Sequence, residues 1–273
     1  MGGHTQHYVA EVYLLSDAIE GVMGYAFLIA MVLTSFKFGR SRLTSQQWET
    51  MPMGETIKLT AGDGQKMDAY RGDPAGASKG GIVVIQEIFG VNVHVRDFCD
   101  RLAGAGYTAL APALFDRIRP GIELGYTEAD LGEGFGYMQE VGNETPLADI
   151  QAAADALKPG GKVGAIGFCW GGQLAWLTSK SVDVDCSVGY YGVAVHQTLE
   201  PAPNCPVMLH FADNDAFVPK EAADEVRAVY PEMAIYSYQA NHGFNCDRRD
   251  DYDEASAKQA MTRTLEFFAE NIG

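Results

Sequence analysis

The sequence has 273 residues and 47% of them are hydrophobic, which is enough for a large core and excludes a chain that is disordered throughout. The formal net charge is −16, and such an acidic surface repels phosphate backbones and anionic lipids, so nucleic-acid binding is not expected. The five cysteines are odd in number and include no Cys-x-x-Cys pair, which favours a reducing, cytoplasmic compartment without disulfides.

Residues 1–52 form an N-terminal extension that differs from the rest of the chain. Its apolar run at 22–36 is shorter than the ~20 residues of a comfortable membrane span, and residues 18–38 reach that length only with charges near the ends. Acidic residues precede the run and basic residues follow it, so an inserted segment would leave the C-terminal domain in the cytoplasm. A membrane anchor at 18–38, a helix packed on the domain or a partner, and a seldom translated extension all remain open.

Residues 53–273 alternate between strand and helix patterns. The run at 80–86 is apolar without alternation, which predicts a strand buried on both faces of a parallel sheet. The whole pattern predicts an α/β-hydrolase fold, with a mostly parallel central sheet flanked by helices. Predicted strands cover residues 56–60, 67–71, 80–86, 107–113, 162–168, 187–191, 206–211 and 234–238. Predicted helices cover residues 93–104, 127–140, 146–157, 171–179, 219–230 and 252–270.

A cysteine stands among small residues at one predicted strand-to-helix junction. In Gly167-Phe168-Cys169-Trp170-Gly171, the thiol would lie on a sharp turn that only small neighbours tolerate, and it would project above the sheet. The dipole of the following helix favours the thiolate form. Alone, the motif also fits a buried structural cysteine beside closely packed glycines.

Two later segments favour catalysis. Asp215 precedes an Ala-Phe-Val-Pro turn after an apolar strand, and His242 follows the last predicted strand. Taken singly, these residues also fit a helix cap and an ordinary loop histidine. Nucleophile, acid and histidine in this order, each just after a strand, is the chain order of α/β-hydrolases. We therefore predict a triad of Cys169, His242 and Asp215, with Asp213 as the weaker candidate acid.

The loop after the strand at 80–86 is the expected source of an oxyanion-hole donor. In this fold that loop supplies one backbone amide, and the residue after the nucleophile supplies the other, which nominates Ile88 and Trp170. Glu87 fits either a solvated loop acid or, if it faces the thiol, a carboxylate that holds the thiol proton.

Together, five motifs resemble the dienelactone hydrolase family of carboxymethylenebutenolidase-like enzymes, from about residue 54 to the C-terminus. The resemblance implies the same triad and a Glu87 that exchanges between the thiol and an arginine when an anionic substrate arrives. It also implies that Arg117 binds a substrate carboxylate and that Tyr190 lines the pocket. The motifs are QEIFG at 86–90, GFCWGG at 167–172, VGYYG at 188–192, DNDAFVP at 213–219 and NHGF at 241–244.

The chain departs from the family pattern at one position. The family's second arginine lies four residues after the histidine, where this chain has Cys246, and Arg248 or Arg249 would have to reach the same space. His242 and Cys246 are spaced like two zinc ligands, but two further ligands at a recognisable spacing are missing. We therefore expect neither a metal nor another cofactor.

A cysteine nucleophile restricts the substrate. A thiolate leaves a tetrahedral intermediate far more readily than an alkoxide does, so an alkyl ester would mostly revert, whereas an enolate can compete. The sequence thus predicts hydrolysis of an activated ester or enol lactone, a small molecule. A broader carboxylesterase or thioesterase and a non-catalytic ligand-binding protein are the alternatives. The oligomeric state cannot be read from these patterns.

Overall fold

A computed structural model describes residues 54–273. The predictions for residues 1–52, including the segment at 18–38, lie outside these residues. Within the part described, no helix combines the length and the apolar character that crossing a bilayer requires.

A single eight-stranded sheet forms the centre of the domain, in the order β1-β2-β4-β3-β5-β6-β7-β8. The predicted hairpin is present as β1 and β2, and β2 is antiparallel to β4. All other neighbours are parallel, which confirms the predicted fold class. The strands are β1 Glu55–Thr60, β2 Lys66–Gly72, β3 Gly81–Ile85, β4 Thr108–Pro112, β5 Val163–Phe168, β6 Cys186–Tyr190, β7 Val207–Ala212 and β8 Ala234–Tyr238.

Six α-helices accompany these strands in the described residues, and the last of them follows the final strand. Their N-termini use local side-chain caps where the sequence offers them: Asn92 accepts from the amide of Val95, and Thr127 forms a capping box with Asp130. The helices are α1 Val93–Gly104, α2 Glu128–Val141, α3 Thr145–Leu157, α4 Trp170–Ser181, α5 Ala222–Val229 and α6 Glu254–Asn271.

The helix predicted at 219–230 is shorter than expected, since α5 begins only at Ala222. The preceding residues are held in a turn by Asp215, whose side chain accepts hydrogen bonds from the amides of Phe217 and Val218. A carboxylate that satisfies backbone amides in this way competes with helix formation.

The central strands separate two apolar cores because their alternate side chains point to opposite faces. In β3, Ile82 and Val84 pack in one core with α1, whereas Val83 and Ile85 pack in the other with α3 and α4. Every residue of β3 and β5 is buried. Burial on both faces explains the unbroken apolar runs of the sequence.

Two glycines bring α4 close to the sheet at its carboxyl edge. A Cβ atom at Gly167 would lie 1.9 Å from the carbonyl oxygen of Gly171, and one at Gly171 would lie 2.3 Å from the carbonyl oxygen of Gln86. Between them, Cys169 adopts a φ of 57°, in the left-handed region that non-glycine residues rarely occupy. The turn is therefore as sharp as the motif predicts.

We expect Gly171→Ala to lower the free energy of unfolding by about 1–3 kcal/mol or more, because the added Cβ meets backbone atoms that cannot rotate away. Gly132→Ala in α2 is the matched control, since nothing lies within 4 Å of its Cβ position and alanine is the better helix former by up to about 1 kcal/mol. Urea unfolding of both variants measures the difference. Equal stability of the two would contradict this account of the turn.

Candidate active site

His242 and Asp215 form a buried hydrogen-bonded pair. Nδ1 of His242 lies 2.8 Å and 3.0 Å from the two carboxylate oxygens of Asp215, and the amides of residues 217–218 hold that carboxylate in place. Because the carboxylate accepts a hydrogen bond from Nδ1–H, Nε2 is the nitrogen that remains to exchange a proton with a neighbouring group. Asp213, the weaker candidate, contacts Gln239 instead.

The charge state of His242 is set by its neighbours. Burial alone would disfavour the imidazolium, but the negative charges of Asp215 and the Cys169 sulfur outweigh it and raise the pKa of His242 to about 10. Nε2 makes no hydrogen bond of ordinary geometry, although the sulfur lies close enough to affect the ring. The arrangement favours a protonated imidazole ring beside the Cys169 sulfur.

The backbone fixes the position of the Cys169 thiol. Its N–H donates to the carbonyl of Tyr190 at 3.0 Å, and its carbonyl accepts from the amide of Gln173 at 3.1 Å. Cys169 is partly exposed, whereas Cys99, Cys186 and Cys246 are buried. The thiol is therefore held on a rigid turn and is reachable.

The two amides predicted for the oxyanion hole belong to segments in contact with each other. Trp170 is the first residue of α4, so its amide has no acceptor within the helix. Gly134 brings α2 against the carbonyl of Ile88, where a Cβ atom would lie only 2.2 Å away, and this contact fixes the orientation of the loop. Gly171 touches the same loop through the carbonyl of Gln86. The donor roles of both amides stay predictions.

Glu87 is buried beside the triad, with about 1% of its side chain exposed. Neither of its carboxylate oxygens accepts a hydrogen bond from a described group, and Nη1 of Arg249 lies 3.8 Å from Oε1. Arg249 also covers Gly243, next to His242, whereas Arg248 pairs with Asp97. Of the two candidate arginines, the structure thus brings Arg249 to Glu87.

The structure corrects the assignment of Arg117 to a substrate carboxylate. Its guanidinium binds both oxygens of Asp149, at 2.7 Å and 2.8 Å, and also contacts Asp63 at 2.9 Å. Asp149 is fully buried in α3 and needs a cation to compensate its charge. Arg117 is therefore committed to a structural ion pair, which nothing in its local sequence indicates.

Tyr190 also lies elsewhere than predicted. It is buried at the end of β6, where its hydroxyl pairs with Thr264 at 2.7 Å and its ring packs on His210. The neighbouring Tyr191 faces the site instead, with its ring edge-on to His242 at 5.0 Å between centroids. Tyr191 lies one residue beyond the end of β6 and has a φ of 37°, so strand alternation does not set its direction.

Phe217 is a further contact that sequence reasoning did not single out. Its ring lies 4.7 Å from that of His242, so the imidazole is held between Phe217 and Tyr191. The available signal was its place in DNDAFVP, two residues after Asp215. Both rings restrict the imidazole to the orientation that Asp215 sets.

Several known proteins are similar to this chain in sequence or in fold. A profile of the dienelactone hydrolase family matches residues 67–272. A carboxymethylenebutenolidase from Pseudomonas putida is 33% identical over 226 residues, which cover 79% of this chain and 96% of the relative. Carboxymethylenebutenolidase 1 from Cupriavidus pinatubonensis is 29% identical over 227 residues, covering 80% and 97%. A provisionally assigned dienelactone hydrolase from Klebsiella pneumoniae superposes with a TM-score of 0.65 at 28% identity, covering 79% and 99%.

We expect the contribution of His242 to stability to fall as the pH rises. A histidine whose pKa is raised from about 6.5 in the unfolded chain contributes fully below that value, and the contribution is lost as the pH passes the folded value of about 10. The difference in unfolding free energy between the wild type and His242→Gln should therefore shrink between pH 6 and pH 10. His196→Gln, away from the triad, controls for general effects. A difference that grows with pH would show that the folded state favours the neutral ring.

Proposed function

Because the chain belongs to the dienelactone hydrolase family, we propose that it hydrolyses an enol lactone or a similarly activated carboxylic ester through Cys169, His242 and Asp215. The observation that carries this proposal is the buried hydrogen bond between His242 and Asp215, with the Cys169 sulfur close enough to influence the imidazole. That is the arrangement of nucleophile, base and orienting acid that acyl transfer requires.

The reaction proceeds through a thioester. The Cys169 thiolate attacks the ester carbonyl, and the amides of Ile88 and Trp170 stabilise the resulting oxyanion, at about 2.7–4 kcal/mol for each donor. The enolate leaves and then takes up the proton of the His242 imidazolium. His242 next removes a proton from water, which attacks the thioester, and the acid leaves as the thiolate–imidazolium pair is restored.

The leaving group decides which esters turn over. The tetrahedral intermediate expels whichever of its two leaving groups is the weaker base, and against an alkoxide that is the Cys169 thiolate. An enolate is stabilised by resonance, so the carbon–oxygen bond of an enol ester breaks in competition with the carbon–sulfur bond. This restricts productive turnover to activated substrates.

Arg249 is the proposed binding group for a carboxylate on the substrate. The net charge of −16 repels anions, so an anionic substrate needs a local cation. Arg249 is 9% exposed and already lies 3.8 Å from Glu87, without a hydrogen bond between the two side chains. A substrate carboxylate would take over the guanidinium and release Glu87 towards the thiol. Without this requirement the chain would be a broader esterase or thioesterase, which the cysteine at position 246 favours.

We expect the wild type to hydrolyse an enol ester at least about 100-fold faster in kcat/KM than the ethyl ester of the same acid, because only the enolate competes with the thiolate as leaving group. Cys169→Ala and His242→Ala should each lower kcat by about 10³-fold or more on the enol ester. Cys205→Ala, which removes a thiol away from the triad, is the control. Equal rates on the two esters would refute the leaving-group argument.

Arg249→Met should raise KM for an enol ester that carries a carboxylate by about 10- to 100-fold, since a charge-assisted hydrogen bond is worth about 1.5–3 kcal/mol. The neutral methyl-capped analogue should be affected little. Arg248→Met, the neighbouring arginine that pairs with Asp97, is the matched control. If the Arg249 variant loses activity on both substrates equally, the broader esterase is the better description.

A further inference from the structure

A second group of chemically active side chains lies next to Glu87. Glu87, His94 and Cys246, termed here the buried ligand cluster, each offer one metal-binding atom, and these atoms all lie within 4.8 Å of one another. The three residues come from separate segments: the loop after β3, the first turn of α1 and the loop after β8. All three are at least 98% buried, with exposures of 1%, 0% and 0%.

The cluster leaves several polar atoms without hydrogen bonds. Both ring nitrogens of His94 and both carboxylate oxygens of Glu87 have no hydrogen-bond partner among the described residues. The nearest opposite charges are offset, with Asp247 at 3.7 Å from Nδ1 of His94 and Arg249 at 3.8 Å from Glu87. Buried polar atoms are normally satisfied, so four such atoms around one small space indicate a ligand.

From this convergence we propose that Glu87, His94 and Cys246 bind a zinc-class divalent transition-metal ion. A thiolate, an imidazole and a carboxylate are ligands that zinc takes, whereas magnesium and calcium prefer oxygen alone. Tetrahedral zinc separates its ligand atoms by about 3.5 Å. The ligand atoms here are at most 4.8 Å apart, so side-chain rotations that shorten these distances by about 1.3 Å or less would complete the site. The sequence gives no recognisable ligand spacing for this site. Glu87 and His94 are seven residues apart (94 − 87), and His94 and Cys246 are 152 residues apart (246 − 94).

The charges of such a site balance. On coordination the Cys246 thiol loses its proton to solvent, and the thiolate and the Glu87 carboxylate together neutralise the two positive charges of the ion. A neutral assembly suits a buried position, where an uncompensated charge is costly. The fourth position remains for a small ligand or for the hydroxyl of Tyr126, which accepts a hydrogen bond from the Cys246 thiol at 3.4 Å.

Metal binding at this cluster would compete with the proposed exchange of Glu87. The ion would join three segments of the chain and would hold the Glu87 carboxylate, the group that otherwise faces Arg249. Cys169 and His242 are not ligands in this proposal. Because a catalytic cysteine and histidine can also capture zinc, the experiment must distinguish the two thiols.

The test is a titration of the full chain with Co²⁺, whose thiolate charge-transfer absorption reports a cobalt–sulfur bond, followed by displacement with Zn²⁺. Cys169→Ala should bind one Co²⁺ per chain with this absorption and should gain thermal stability with Zn²⁺. Cys246→Ala, with Cys169 intact, should lose the absorption and bind at least about 100-fold more weakly. Cys205→Ala, which removes a thiol near the other end of α4, should behave as the wild type.

Two results would overturn the proposal: no cobalt–thiolate absorption in the folded wild type, or an absorption that persists in Cys246→Ala and disappears in Cys169→Ala. Near-ultraviolet circular dichroism of the metal-free variants establishes that each is folded. If Cys246→Ala does not fold, His94→Gln takes its place, because it removes a ligand and leaves every thiol present. Retention of wild-type affinity in His94→Gln would equally refute the site.

Discussion

The close approach of α4 to the sheet is the constraint on which the rest of the site depends. Gly167 and Gly171 allow backbone contacts that any larger residue would prevent, and they permit the left-handed conformation of Cys169. The same contact places the first amide of α4 beside the loop of Gln86. The Cys169 turn, the N-terminus of α4 and the loop of Gln86 are thus positioned by packing between backbones, which is less adjustable than packing between side chains.

Charge is concentrated in a small buried volume around this turn. Asp215 is stabilised by two backbone amides and by His242, so its negative charge is fully compensated. Glu87 is different, since the guanidinium of Arg249 lies 3.8 Å away and no hydrogen bond from a described group reaches its carboxylate. A carboxylate held this loosely exchanges partners more readily than one with a complete set of hydrogen bonds. The fold therefore combines one fixed acid with one adaptable acid.

The fold was readable from the sequence, because strand periodicity is a local signal. The triad of Cys169, His242 and Asp215 stays a prediction that rests on chain order. Each predicted strand and helix is present, and Asp215 rather than Asp213 contacts His242. The choices that failed depend on long-range partners. Arg117 forms its ion pair with Asp149, 32 residues away. Which of Tyr190 and Tyr191 points towards His242 depends on the residue at which β6 ends. The pairing of Arg249 with Glu87 likewise spans most of the domain and leaves no spacing signal.

The guanidinium next to Glu87 comes from position 249, whereas the family resemblance places an arginine at position 246. A search pattern that demands arginine at a fixed distance from His242 would discard this chain, although a cation lies next to Glu87 in space. With the guanidinium supplied from position 249, position 246 need not carry a positive charge, and here it carries a buried thiol.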